Sequence, residues 1–138
     1  MKLFGTEGIR ARAGEFPLNA AAIVAIGQAI GERLGGPLLI GQDTRASSPW
    51  IRDLLELGFL KAQVTIEEAG VIPTPAVALL TRSGSGRIRY AGGVMISASH
   101  NPFEDNGIKV FSSDGTKLTD SVEQGIEQRV LELLPPGT

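Results

Sequence analysis

Ser99 and His100 stand side by side, and Lys109 follows ten residues after the serine. A hydroxyl, an imidazole and an ammonium this close together suit nucleophilic or group-transfer chemistry. A serine hydrolase would use His100, the only histidine of the chain, as its base. Here that base is the immediate sequence neighbour, no second imidazole can take its role, and glycines do not flank the serine as in a nucleophile elbow. A Gly-x-x-x-x-Gly-Lys-Ser/Thr phosphate loop is also missing. The residues leave room for a serine that carries a phosphoryl group, which adds about −1.5 to −2 charge and which cations and a metal ion could hold. The hydrolase remains an alternative.

The elements that must position these groups follow from pattern. Val94-Met95-Ile96 is a short apolar run of the kind a strand buried on both faces shows. It opens into Ser97-Ala98-Ser99-His100-Asn101-Pro102, and the end of a buried strand is where an α/β sheet usually places its chemistry. Asn106-Gly107 is a turn signal, and Ile108–Phe111 alternates as a returning strand that carries Lys109. Earlier in the chain, Phe4–Arg10 is rich in glycine and reads as a loop, with Arg10 offering a planar donor fork suited to phosphate. On local pattern alone Arg10 reads equally as a surface arginine, and Lys109 as a solvated lysine.

A helix is expected from Asn19 as N-cap, with Ile23, Ile26, Ile30 and Leu34 as its buried stripe and Gly27 and Gly31 packed closely on the sheet. Leu38–Ile40 is the next strand, and Gly41–Arg45 the loop at its end. Ser48-Pro49 and Thr74-Pro75 each read as a capping hydroxyl followed by a first-turn proline. The second helix buries Ile51, Leu54 and Leu55, and the third runs through Leu80. Val64 and Ile66 mark a strand between them, stopped by Gly70. Asp120 and Glu123 read as a capping box for a last helix whose stripe is Val122, Ile126, Val130 and Leu133. This alternation predicts a three-layer α/β/α domain with a four-stranded mixed sheet. The last strand is expected antiparallel, because its connection of about ten residues is too short for a parallel crossover. One domain covers residues 1–134, and 135–138 reads as the start of a linker.

Composition narrows the class. The chain has 138 residues, 42% of them hydrophobic and 20% charged, enough for a single core without staples. A net charge of −2 gives no basic excess for nucleic acid. Zero cysteines exclude disulfides and thiolate metal sites and fit a reducing compartment. No leader is apparent and no apolar run approaches the ~20 residues of a membrane span. A cytoplasmic protein with no membrane partner is the expectation.

The run Ile-Ser-Ala-Ser-His-Asn-Pro at 96–102, with Asp-Asn-Gly-Ile-Lys at 105–109, resembles the active-site loop of the α-D-phosphohexomutase superfamily. Phe4-Gly-Thr-Glu-Gly-Ile-Arg10, Asp43-Thr44-Arg45 and Pro73-Thr74-Pro75-Ala76 match the same family in the same order. The phosphoglucosamine mutase branch fits best, because it also begins almost directly with the Phe-Gly-Thr motif. Phosphomannomutase and phosphoglucomutase are the near alternative, and a stand-alone domain that binds sugar phosphates or a partner without catalysis is another. Two positions depart from the family pattern: Glu7 replaces the usual aspartate, and Gln42 stands where arginine is common.

The resemblance implies that Ser99 is the phosphoserine and a magnesium ligand through its phosphate. It implies that His100 and Asn101 line the substrate site, that Lys109 is an acid/base or charge stabiliser, and that Arg10 binds the phosphoryl group. Asn101 and Asp43 are expected to shape their loops. The implied reaction moves a phosphoryl group between Ser99 and a hexose or hexosamine monophosphate through a bisphosphate. Family members have four domains, and the carboxylate loop for magnesium, the sugar-recognition loop and a phosphate-gripping loop lie outside this chain. The remaining domains are therefore expected partners, the chain alone is expected to be inactive, and its uncovered faces leave room for a homodimer.

Overall fold

The computed structural model describes residues 2–136. In chain order it contains β1 (Ile9–Arg12), α1 (Ala20–Leu34), β2 (Leu38–Gln42), α2 (Ser48–Lys61) and β3 (Ile66–Val71). α3 (Thr74–Ser83), β4 (Gly92–Ile96), β5 (Asp105–Ser112) and α4 (Asp120–Leu133) complete it. The sheet order is β1-β5-β4-β2-β3. β2 runs parallel to β3 and β4, whereas β5 is antiparallel to β4 and β1 antiparallel to β5. The three-layer α/β form and the antiparallel return strand are as expected from the sequence.

The sheet has five strands, not four. β1 falls in what reads as the end of a glycine loop, because four residues at a sheet edge carry too short an alternation to register. Ile9 pairs with Ile108 and Arg10 with Gly107. Gly8 makes this pairing possible: its φ is +90°, and a Cβ there would collide with the carbonyl oxygen of Ile108. Asn106-Gly107 is not a turn either, since both lie inside β5. Asn106 is fully buried, and a Cβ on Gly107 would come within 2.6 Å of the Ser97 carbonyl oxygen. The glycine answers a close backbone approach.

Strand alternation divides the core. Leu38, Ile40, Val94, Ile96, Ile108 and Val110 share one cluster with α1, α2 and α4. Leu39 and Met95 form a smaller one with Val77 of α3 and Tyr90. Gly27 packs on α2 rather than on the sheet, 2.5 Å separating its would-be Cβ from the Leu55 carbonyl oxygen. α3 covers β2 and β4 and meets β5 at Phe111. Register places Lys109 opposite Met95 and Arg10 opposite Gly107, so both cations share the α3 face. A cavity of about 220 Å³ opens there, with Thr6, Gly8, Thr74, Lys109 and Phe111 in its wall.

Several helix starts are displaced. Ser47 is the N-cap of α2, which puts Ser48 and Pro49 inside the first turn, and Pro73 precedes α3, which runs to Ser83. Asn19 does cap α1 by position but makes no capping hydrogen bond. Thr119, not Asp120, caps α4 by accepting from the Val122 amide, while Glu123 turns to Lys117 at 2.9 Å. β3 continues through Gly70. Among the described residues no helix is long and apolar enough to cross a membrane. Part of the expected linker, Gly137 and Thr138, lies outside the described residues.

Candidate active site

The loop of residues 97–104 leaves the carboxyl end of β4, beside the loop that leaves the carboxyl end of its parallel neighbour β2. Two crossover strands that end side by side bring distant residues together. The first link is a backbone bond, the Asp43 amide donating to the Ile96 carbonyl at 3.0 Å.

Arg45 then binds the serine loop with its whole guanidinium. Nη1 donates to the carbonyls of Pro102 (2.7 Å) and Asp105 (3.1 Å), and Nη2 to those of Ser99 (2.9 Å) and Asn101 (3.0 Å). Nε is taken by Asp43 at 3.0 Å. Asp43 also accepts from the Arg45 amide and from Ser48 Oγ at 2.8 Å. Ser48, fully buried, accepts in turn from the amide of buried Asn106 at 3.1 Å. Burial pushes the Asp43 carboxyl up, but hydrogen bonds from Ser48, the Arg45 amide, Ser97 and the Arg45 guanidinium outweigh it and hold the carboxyl below its ordinary value.

Within the loop, buried Ser97 accepts the Ser99 amide on its Oγ at 3.0 Å. Ser99 itself is exposed and adopts φ +56°, the left-handed region that L residues seldom enter. Its Oγ accepts from Lys109 Nζ at 3.1 Å. Arg10 Nη1 donates to Asn101 Oδ1 at 3.2 Å, and Nη2 stands 3.4 Å from the Glu7 carboxylate. That ion pair lacks hydrogen-bond geometry, so Nη2 and Nε of Arg10 are buried without an acceptor. Unmet guanidinium donors are costly in a protein and suit an anion. His100 is exposed and hydrogen-bonds to nothing among the described residues.

The structure thus joins Ser99 to Lys109 and Arg10 to Asn101, and leaves His100 apart. The group touching the Ser99 hydroxyl is an ammonium, which while charged can donate but cannot take a proton. That geometry suits an oxygen that bears or receives negative charge. No cluster of three or more His, Cys, Asp or Glu side chains able to hold a metal occurs among the described residues. The donor set here does not make a magnesium site; a phosphate on Ser99 would be a single ligand. Sequence reading gave Arg45 no role of its own, although Asp43-Thr44-Arg45 was visible as a motif. Its role depends on β2 and β4 being neighbours.

A mixed α/β sheet that brings a strained serine and two cations together beside the carboxyl end of β4 defines an α/β/α domain with a site suited to an anion. The chain belongs to the family described as phosphoglucomutase/phosphomannomutase, alpha/beta/alpha domain I, which matches residues 1–134. It is 48% identical over 134 residues to a phosphoglucosamine mutase of Koribacter versatilis (strain Ellin345), covering 94% of this chain and 28% of that protein. A phosphoglucosamine mutase of Solibacter usitatus (strain Ellin6076) is 47% identical over 136 residues, covering 95% and 30%. The crystal structure of a phosphoglucomutase/phosphomannomutase family protein from Burkholderia thailandensis superposes with a TM-score of 0.81 at 26% identity, covering 94% of this chain and 30% of that one. The chain therefore spans about 30% of the length of these relatives.

Proposed function

We propose that this chain is the phosphoserine-bearing first domain of a phosphoglucosamine mutase, interconverting glucosamine 6-phosphate and glucosamine 1-phosphate. The contact between Lys109 Nζ and Ser99 Oγ at 3.1 Å carries the reading. In the forward step the bond between phosphorus and Ser99 Oγ breaks as one forms to a sugar hydroxyl, and the proton that this hydroxyl loses is balanced by one gained on the freed Ser99 Oγ. The sugar is then a bisphosphate, and its other phosphate returns to Ser99 Oγ. Lys109 stabilises charge on the serine oxygen as it departs and as it attacks, and Arg10 supplies donors to the phosphoryl oxygens. His100 and Asn101 contact substrate from the loop. Magnesium supplies charge neutralisation in such a transfer. Ser99 would offer it one phosphate oxygen, the other ligands coming from beyond this chain.

The identities of 48% and 47% to proteins named phosphoglucosamine mutase support the glucosamine substrate over mannose or glucose phosphates. Partners would be the remaining domains, and a second copy could use exposed Leu57 and Leu60 of α2. The compartment would be the cytoplasm. The test is a longer protein carrying this domain, assayed with magnesium on glucosamine, mannose and glucose phosphates, with peptide mass spectrometry for phosphate on Ser99. Preferred turnover of glucosamine phosphates with phosphate on Ser99 is expected. A natural reading frame that ends near residue 138 would instead favour a non-catalytic binding domain.

A further inference from the structure

We infer that Arg45 is the positioning residue of this site: by gathering four loop carbonyls it holds Ser99 in the left-handed backbone from which its hydroxyl meets Lys109. The inference rests on the reading of Ser99 as the phosphoryl carrier. A guanidinium has five N–H donors, and the five acceptors it meets here are one carboxylate oxygen and the carbonyls of Ser99, Asn101, Pro102 and Asp105. No donor is left for substrate, so Arg45 acts through the loop. Ser99 is addressed by two cations on different atoms, its carbonyl by Arg45 and its hydroxyl by Lys109. A strained backbone persists where its surroundings over-determine it. Here they do: the Ser99 amide is held by Ser97 and its carbonyl by Arg45.

The clamp also has an electrostatic side. Four carbonyl oxygens turned onto one guanidinium are oxygens not turned toward a phosphoryl dianion. Asp43 aims the guanidinium, and Ser48 and Asn106 tie Asp43 into the core. A lysine keeps the charge but has three donors on a single nitrogen, so it cannot span these carbonyls.

The experiment uses the longer protein that carries this domain, with Arg45→Lys, Arg45→Ala and Asp43→Asn. Displacing the serine without touching substrate should lower kcat about 100-fold in Arg45→Lys while KM for the sugar phosphate changes by less than about threefold. Added guanidinium ion should restore Arg45→Ala by about tenfold or more, and ethylammonium should not. If Arg45→Ala does not fold, Arg45→Lys and Asp43→Asn carry the test through the same split of kcat from KM. Wild-type kcat in Arg45→Lys, or parallel changes in kcat and KM without guanidinium rescue, overturns the inference. A wild-type protein lacking both phosphate on Ser99 and isomerase activity overturns the underlying reading, and the inference falls with it.

Discussion

Ser99 combines a strained backbone with an exposed hydroxyl, and the two can be separated by substitution. Glycine enters the left-handed region freely and alanine does not, so Ser99→Gly should be more stable than Ser99→Ala by about 1 kcal/mol. Both lack the hydroxyl, and in the longer protein both should lose nearly all mutase activity. Ser97→Ala removes a buried acceptor of the Ser99 amide and should cost much less activity. Urea denaturation and a coupled assay measure the two effects, and full activity in Ser99→Ala would show that the nucleophile lies elsewhere. Asp43 gives a pH signature. Its carboxyl is depressed in the folded state, so its contribution to stability is present above the ordinary value of ~3.9 and is lost as pH falls through the lower folded value. The stability gap between wild type and Asp43→Asn should therefore be larger at pH 7 than near pH 3. An equal gap at both would mean that the carboxyl's charge contributes nothing.

At the scale of elements, α1 and α2 meet through glycines that look alike in sequence to any other helix glycine. A Cβ on Gly58 would strike the Val24 carbonyl oxygen of α1 and lie 2.5 Å from the Gln28 amide nitrogen. Backbone cannot yield as a side-chain tip can, so Gly58→Ala should destabilise by about 1–3 kcal/mol despite alanine's better helix propensity. Gly125 in α4 has nothing within 4 Å of its would-be Cβ, and Gly125→Ala should stabilise by about 1 kcal/mol. Opposite signs in chemical denaturation are expected, and a stabilising Gly58→Ala would contradict the close helix contact. The N-terminal segment depends on α4 as well. Buried Glu127 accepts the amides of Leu3 and Phe4, which holds the approach to β1 and hence Arg10 in place.

For the whole molecule, buried clusters cover both faces of the sheet and every strand is paired, so the 138-residue chain should fold alone and melt cooperatively by circular dichroism. Exposed Leu57, Leu60, Leu79 and Phe103 leave apolar surface that could drive self-association. The same chain, given glucosamine phosphate and magnesium, should show no isomerisation, because among the described residues no cluster of three or more His, Cys, Asp or Glu side chains is placed to hold a divalent ion. Robust turnover by the purified chain would refute its role as one domain of a longer enzyme.

Sequence alone determined the alternation of helices and strands and the antiparallel return after the serine loop, because periodicity and short connections act locally, and its motifs carried the resemblance to the family. It also marked Ser99, Lys109 and Arg10 as a set, although nothing in their spacing required Lys109 to touch Ser99. Tertiary structure alone decided the rest. β1 became a strand because β5 offered an unpaired edge. Asn106-Gly107 stayed extended because Ser48 and the Ser97 carbonyl press on it. Arg45 acquired its role from the parallel pairing of β2 with β4, which brings its guanidinium to a loop more than fifty positions away. Contacts between strands distant in the chain leave no periodic trace in either segment, so their chemistry appears only once the sheet is assembled.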